Sequence, residues 1–67
     1  MTITPETLIG DLLKDKNVDS IAEVLFSVGM HCLGCAIAHG ETVGEAAEVH
    51  GVNVEELITR LNEAASK

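Results

Sequence analysis

The chain has 67 residues, a formal net charge of -7 at pH 7 and a pI near 4.6. Its basic side chains are only Lys14, Lys16, Arg60 and Lys67, and Phe26 is its one aromatic. That composition argues against a nucleic-acid groove, an anionic membrane surface and a stacking platform for bases or sugars. A chain this short buries only about 60% of its unfolded surface. It is therefore expected to form one domain, residues 1-67, that packs efficiently or gains stability from a second copy as a homodimer.

Helix signals run along the chain. Thr4 before Pro5 predicts an N-cap with proline at the first helical position, and Glu6 falls in the first turn. Leu8, Ile9, Leu12 and Leu13 follow as one apolar face. This helix is expected to end near Lys14, with Asp15-Lys16-Asn17 as the turn. A second helix is expected after a cap at Asp19 or Ser20. Its stripe is Ile21, Val24, Leu25 and Val28, and Gly29 is its left-handed stop.

Beyond Gly40, Thr42 and Glu45 have capping-box spacing and predict a third main helix through about Val49, closed by Gly51. Asn53 and Glu56 repeat that spacing. The last helix then carries Val54, Leu57, Ile58 and Leu61 on one side, and the tail from Ala64 to Lys67 is expected to fray. The expected fold is all-α: a small bundle of four main helices plus a short helical CxxC turn. No strand-like alternation of useful length appears, which disfavours a thioredoxin-type central sheet.

The two halves echo each other. Ile9-Gly10-Asp11 matches Val43-Gly44-Glu45, and Val18-Asp19 matches Val52-Asn53. With a one-residue slip, Ile21, Val24, Leu25 and Val28 match Val54, Leu57, Ile58 and Leu61. The echo competes with coincidence between two generic capped helix pairs. If it is real, the segment between the halves is a seam.

That segment holds Cys32 and Cys35, the chain's only cysteines, as Cys-Leu-Gly-Cys. A disulfide between them closes a tiny loop and would stabilise the fold by only about 2 kcal/mol on the chain-entropy model. Thiol chemistry or metal binding explains them better than a structural staple. No membrane span or secretory leader is apparent, so the expected location is cytoplasmic, where thiols are kept reduced. There a lone CxxC reads as redox-active or metal-binding.

A short helix starting at Cys32 would put its sulfur at the positive end of the helix dipole. Cys32 is therefore the expected attacking thiol and Cys35 the resolving one. Gly34 leaves the sulfurs open to a partner. His31 adjoins Cys32 and is a candidate modulator, against a plain loop role. His39 would share a helical face with both cysteines, as a cationic neighbour or third metal ligand, against a simple C-terminal dipole role. His50 before Gly51 fits that dipole role and is given no site role.

The rival reading is a zinc or iron–sulfur site. Structural zinc wants four ligands. Cys32, Cys35 and His39 supply three, and His31 would be a strained fourth. A complete thiolate set would need two chains, and a cluster meets the same shortage. Otherwise no cofactor is expected. A non-catalytic interaction domain is the third reading. Met30 and Leu33 could rim the sulfurs but more often serve a core. Glu41, Glu45 and Glu48 read as a solvated face.

Taken together, Thr4-Pro5 with Ile9-Gly10-Asp11-Leu12-Leu13, Gly29-Met30-His31-Cys32-Leu33-Gly34-Cys35, Glu41-Thr42-Val43-Gly44-Glu45-Ala46 and Val49-His50-Gly51-Val52-Asn53-Val54 resemble a family of small bacterial and archaeal helical domains. The family, of uncharacterised function, is often labelled the hybrid-cluster-protein-associated redox disulfide domain. The resemblance covers nearly the whole chain. It implies an all-helical domain with a thiol–disulfide role, in which Cys32 and Cys35 are the redox pair. It also implies, for some members, a link to hybrid-cluster iron–sulfur proteins; the expected electron partner is another protein, of the iron–sulfur or thioredoxin-system kind. Many relatives carry Pro after the second cysteine, and some carry a third cysteine. Here those places hold Ala36 and the alanines near Ala46-Ala47. The missing cysteine weakens a mononuclear metal site, and the missing proline leaves the segment freer to be helical.

Overall fold

A reciprocal pair of hydrogen bonds organises the molecule. The Ile9 N–H donates to the Glu41 carbonyl at 2.9 Å, and the Val43 N–H donates to the Thr7 carbonyl at 2.8 Å. They make one antiparallel bridge, Leu8 to Thr42, at the point where each half turns into its first helix. The computed structural model describes residues 2–29 and 40–66. Within them lie four helices: α1 (Ile9–Leu12), α2 (Val18–Ser27), α3 (Val43–Val49) and α4 (Val54–Ala65). The architecture is all-α. The short CxxC turn expected beside these helices falls outside the described residues.

The core is apolar throughout its described part. Ile9 and Leu12 from α1, Ile21 and Leu25 from α2, Val43, Ala46 and Ala47 from α3, and Leu57, Leu61 and Ala64 from α4 are all buried, joined by Ile3. Val24, Val28, Val52, Val54 and Ile58 pack around them. Ile9, Leu12, Ile21, Leu25, Leu57 and Leu61 come from the expected helical stripes, whereas Leu8, expected on the first of them, is the α1 N-cap and 42% exposed, and Leu13 stays outside the core. The principal helix contacts are α2 against α4 and α3 against α4. Among the described residues no buried polar side-chain atom lacks a hydrogen-bond partner.

The start of the chain differs from the sequence expectation. Thr4, Pro5 and Glu6 do not open a helix. They form a tight turn in which the Thr7 N–H donates to the Thr4 carbonyl at 3.0 Å, and the Thr4 N–H donates to Thr7 Oγ1 at 2.9 Å. Proline at the second position suits a turn as well as it suits a helix start. The tie is broken by α3, whose first N–H groups have no intrahelical partners. Val43 donates to the Thr7 carbonyl, and Gly44 donates to the Pro5 carbonyl at 2.8 Å. A helix through Thr4–Leu8 would consume those carbonyls internally. The approach is close: a Cβ on Gly44 would stand 3.1 Å from the Pro5 oxygen.

The next donor of α3 is served by the capping box. Thr42 Oγ1 accepts from the Glu45 N–H at 3.2 Å, and Glu45 Oε1 accepts from the Thr42 N–H at 3.0 Å. Thr42→Ala is expected to lower stability by about 1 kcal/mol. Urea denaturation followed by circular dichroism checks this, and an unchanged midpoint would mean that the box contributes nothing.

The other boundaries follow local chemistry, with two exceptions. Asn53 Oδ1 caps α4 by accepting from the Glu56 N–H at 2.9 Å. Gly29 and Gly51 have φ of 94° and 66°, the left-handed stops expected of them. The first exception is α2, which starts one residue before Asp19. Asn17 stands at its N-cap without a side-chain cap bond, its backbone at φ -95° and ψ 29° instead of extended, and its Nδ2 donates to the Ala65 carbonyl at 2.7 Å. The second exception is the C-terminal end. Ala64 is buried, and the Ser66 hydroxyl donates to the Asn62 carbonyl at 2.6 Å. The described part of the tail is therefore tied down, not frayed.

The internal echo takes physical form in the Leu8–Thr42 bridge, whose two members directly precede Ile9 and Val43, the positions that the sequence alignment equates. The later helices match in a different register. The N-caps Asn17 and Asn53 correspond, so Ile21 and Leu25 match Leu57 and Leu61, all fully buried. A longer α3, partly offset by a shorter turn after it, moves the register by two residues in the opposite sense to the expected slip.

Candidate functional site

All the sequence-derived site residues, Cys32, Cys35, His31 and His39, lie outside the described residues, as do Met30 and Leu33. The same holds for the alternative zinc or iron–sulfur ligand set. Among the described residues, no three His, Cys, Asp or Glu side chains are grouped to hold a metal. The described fold does fix where the CxxC connection leaves and re-enters. It leaves at Gly29, directly after α2, and returns at Gly40, before the α3 cap.

Gly29 is the left-handed residue at the end of α2. Its N–H donates to the Phe26 carbonyl at 3.0 Å, and the Val28 N–H donates to the Leu25 carbonyl at 3.3 Å. Across from it stands the end of α3, where the backbone closes in a Schellman motif. The Val52 N–H donates to the Ala47 carbonyl at 2.9 Å and the Gly51 N–H to the Glu48 carbonyl at 3.3 Å. Val52 packs against the core cluster, of which Ala47 is a buried member. His50 is the C-cap inside this motif, its N–H donating to the Ala46 carbonyl at 3.0 Å.

His50 reaches the end of α2. Its Nδ1 lies 3.9 Å from the position of a Cβ built on Gly29, an ordinary van der Waals distance. Phe26, three residues before Gly29, is 47% exposed, and Val49, next to His50, is 72% exposed. The C-terminal end of α2 and the His50 imidazole at the end of α3 thus come together at Gly29, where the CxxC connection leaves. Sequence reasoning left His50 out. Its position next to a helix-ending glycine signals a cap, and nothing in its spacing from the cysteines signals that the ends of α2 and α3 meet.

A second surface feature is an open groove between α2 and α4, lined by Ser20, Glu23, Val24, Arg60, Glu63 and Ala64. Arg60 Nη2 donates to Ser27 Oγ at 2.7 Å. Glu23 and Glu63 share the groove with that guanidinium and oppose an anionic ligand there. Among the described residues no helix is long and apolar enough to cross a membrane.

The model of one protein family matches residues 3–58, which includes the CxxC connection and all of α1 to α3. The chain belongs to DUF1858, a domain of unknown function. The match agrees with the resemblance to a small helical family of uncharacterised function. The family description assigns DUF1858 no activity, partner or cofactor. No curated protein and no solved structure matches the chain.

Proposed function

We propose that this DUF1858 domain is a cytoplasmic thiol–disulfide redox module that exchanges electrons with a protein partner through Cys32 and Cys35. One observation carries the reading: the chain's only two cysteines form a CxxC pair in the connection between two helical halves. The described core is closed by aliphatic side chains and backbone capping, so the cysteines are not required as a staple.

The reaction balances as follows in the reducing direction. The Cys32 thiolate attacks a disulfide of the partner protein, forming a mixed disulfide and releasing one partner thiolate. The Cys35 thiolate then attacks Cys32 Sγ, the Cys32–Cys35 bond forms, and the second partner thiolate leaves. Two electrons pass from the dithiol to the partner's disulfide, and the two thiol protons finish on the partner's thiols. Reversal oxidises the partner instead. His31 and His39 are the neighbouring groups able to assist proton movement. An iron–sulfur protein or a thioredoxin-system protein is the proposed partner class.

The test is thiol trapping read by mass spectrometry across a series of redox buffers, on metal-free protein. A reversible two-electron transition at about -200 to -300 mV is expected. Cys32→Ser should abolish it, and Cys35→Ser should accumulate mixed disulfides. Failure of wild-type protein to form the intramolecular disulfide in oxidising buffer would overturn the redox reading. Stoichiometric zinc or iron on protein purified without chelator would then favour the metal-site alternative.

A further inference from the structure

We propose that the groove between α2 and α4 binds a small amino-acid zwitterion, with Arg60 receiving its carboxylate and Glu23 and Glu63 its ammonium group. The site lies wholly within the described residues and is independent of the redox reading. The size of the groove, its floor and the order of its charges lead to it.

Size sets the class of ligand. The groove encloses about 150 Å³ and is lined by Ser20, Glu23 and Val24 from α2 and Arg60, Glu63 and Ala64 from α4. A space of this volume holds a molecule of benzene size, about six heavy atoms. A nucleotide or a sugar phosphate is too large for it. Ala64 is buried and Val24 packs against the core, so the floor of the groove is apolar.

The order of the charges follows from the way the helices pair. Asn17 Nδ2, at the start of α2, donates to the Ala65 carbonyl at the end of α4, and Arg60 Nη2 donates to Ser27 Oγ at the end of α2. The two helices therefore run antiparallel along the groove, and Arg60 stands at its Ser27 end. Glu63 lies one turn farther along α4, about 4.5 Å by helix rise. Glu23 lies one turn before Ser27 on the facing helix. The groove is positive at one end and negative along the rest.

These charges are not spent on each other. The one ion pair among the described residues joins Lys14 to Asp11. Among the same residues the Arg60 side chain makes a single hydrogen bond, to the neutral Ser27 hydroxyl. That hydroxyl donates in turn to the Val24 carbonyl at 2.7 Å, which holds the guanidinium at the end of the groove. A guanidinium has further N–H donors for a carboxylate, and ionised glutamates offer acceptors for an ammonium group. A simple anion meets two carboxylates here, and a simple cation meets the guanidinium. A molecule with both charges at a short separation is attracted at each end. The groove is open to water, which screens both contacts and sets a dissociation constant of about 1–10 mM.

The experiment titrates the full-length chain with β-alanine and follows backbone amide chemical shifts by nuclear magnetic resonance. Ionic strength is held constant at a pH of about 7, where carboxylate and alkylammonium groups are both charged. Propionate and propylammonium are the matched probes, each carrying one of the two charges. β-Alanine is expected to give saturable shifts at Glu23, Val24, Arg60 and Glu63. Each single-charge probe should bind about fivefold more weakly or worse, for want of one charge-assisted contact.

Arg60→Gln should weaken β-alanine by about the same factor and leave propylammonium no weaker. Glu63→Gln should weaken β-alanine and leave propionate no weaker. Glu63 is exposed, so its variant provides the readout if Arg60→Gln fails to fold. The absence of saturable shifts at about 100 mM β-alanine would overturn the proposal. So would equal binding of β-alanine and propylammonium, which would reduce the groove to an acidic face that gathers cations.

Discussion

Leu61→Ala should remove a large part of the stability of this domain. Leu61 is fully buried on α4, the helix that packs against both α2 and α3. Its truncation creates a void where the two halves meet. Leu-to-Ala changes in packed cores cost about 2–5 kcal/mol, and the cost rises with the size of the cavity left behind. A chain of this length has a total stability of about 3–10 kcal/mol. A loss of about 3 kcal/mol therefore lowers the melting temperature by about 12–24 °C. Val49→Ala, at a side chain 72% exposed, should stay within about 0.5 kcal/mol of wild type. Thermal and urea denaturation of the two variants supply the comparison. A Leu61→Ala loss below about 1 kcal/mol would contradict the placement of α4 at the centre of the core.

This sensitivity explains why the helices were legible in the sequence. A domain this small has few apolar positions to spare, so nearly every strong stripe residue is a core residue. Ile21, Leu25, Leu57 and Leu61 stand out by spacing, and all four are buried. The caps at Thr42 and Asn53 were legible because a cap is a contact within four residues, complete in the local sequence. Gly29 and Gly51 were legible for the same reason.

What could not be read locally was decided by partners far along the chain. Thr4-Pro5 suits a helix start and a turn equally, and the choice falls to α3, almost forty residues away, whose N–H groups need the Thr7 and Pro5 carbonyls. Asn17 has the chemistry of a cap, makes no cap bond, and donates its Nδ2 to the Ala65 carbonyl, 48 residues away. The site divides in the same way. The CxxC motif announces itself as a pair of adjacent thiols. The approach of His50 to Gly29 is created by the packing of both α2 and α3 on α4, and leaves no trace in spacing.

Asn62 illustrates how much of the fold such distant contacts hold. Its Oδ1 accepts from the Ile3 N–H at 2.8 Å, and its Nδ2 donates to the Ile3 carbonyl at 3.1 Å. One amide thus satisfies both backbone groups of a residue whose side chain is buried in the core. The same Nδ2 also donates to the Ile58 carbonyl at 3.1 Å, which orients the amide on α4. Asn62→Leu has similar size and no polar atoms. It leaves the Ile3 N–H and carbonyl without their partner, at a cost of about 1–3 kcal/mol for a buried group. Residues 2–7 would then be held mainly by Ile3 packing and the bonds from Thr7 and Pro5 to α3. The expected result is a stability loss of about 2 kcal/mol, with a disproportionate effect at the N-terminus. Amide hydrogen exchange separates the two components. The Ile3 amide should lose protection by more than the Leu57 and Leu61 amides, because local opening of the N-terminal segment becomes its easiest route to exchange. Equal loss at all three would mean that Asn62 acts only through global stability. Unchanged protection at Ile3 would show that the clasp does not hold the segment.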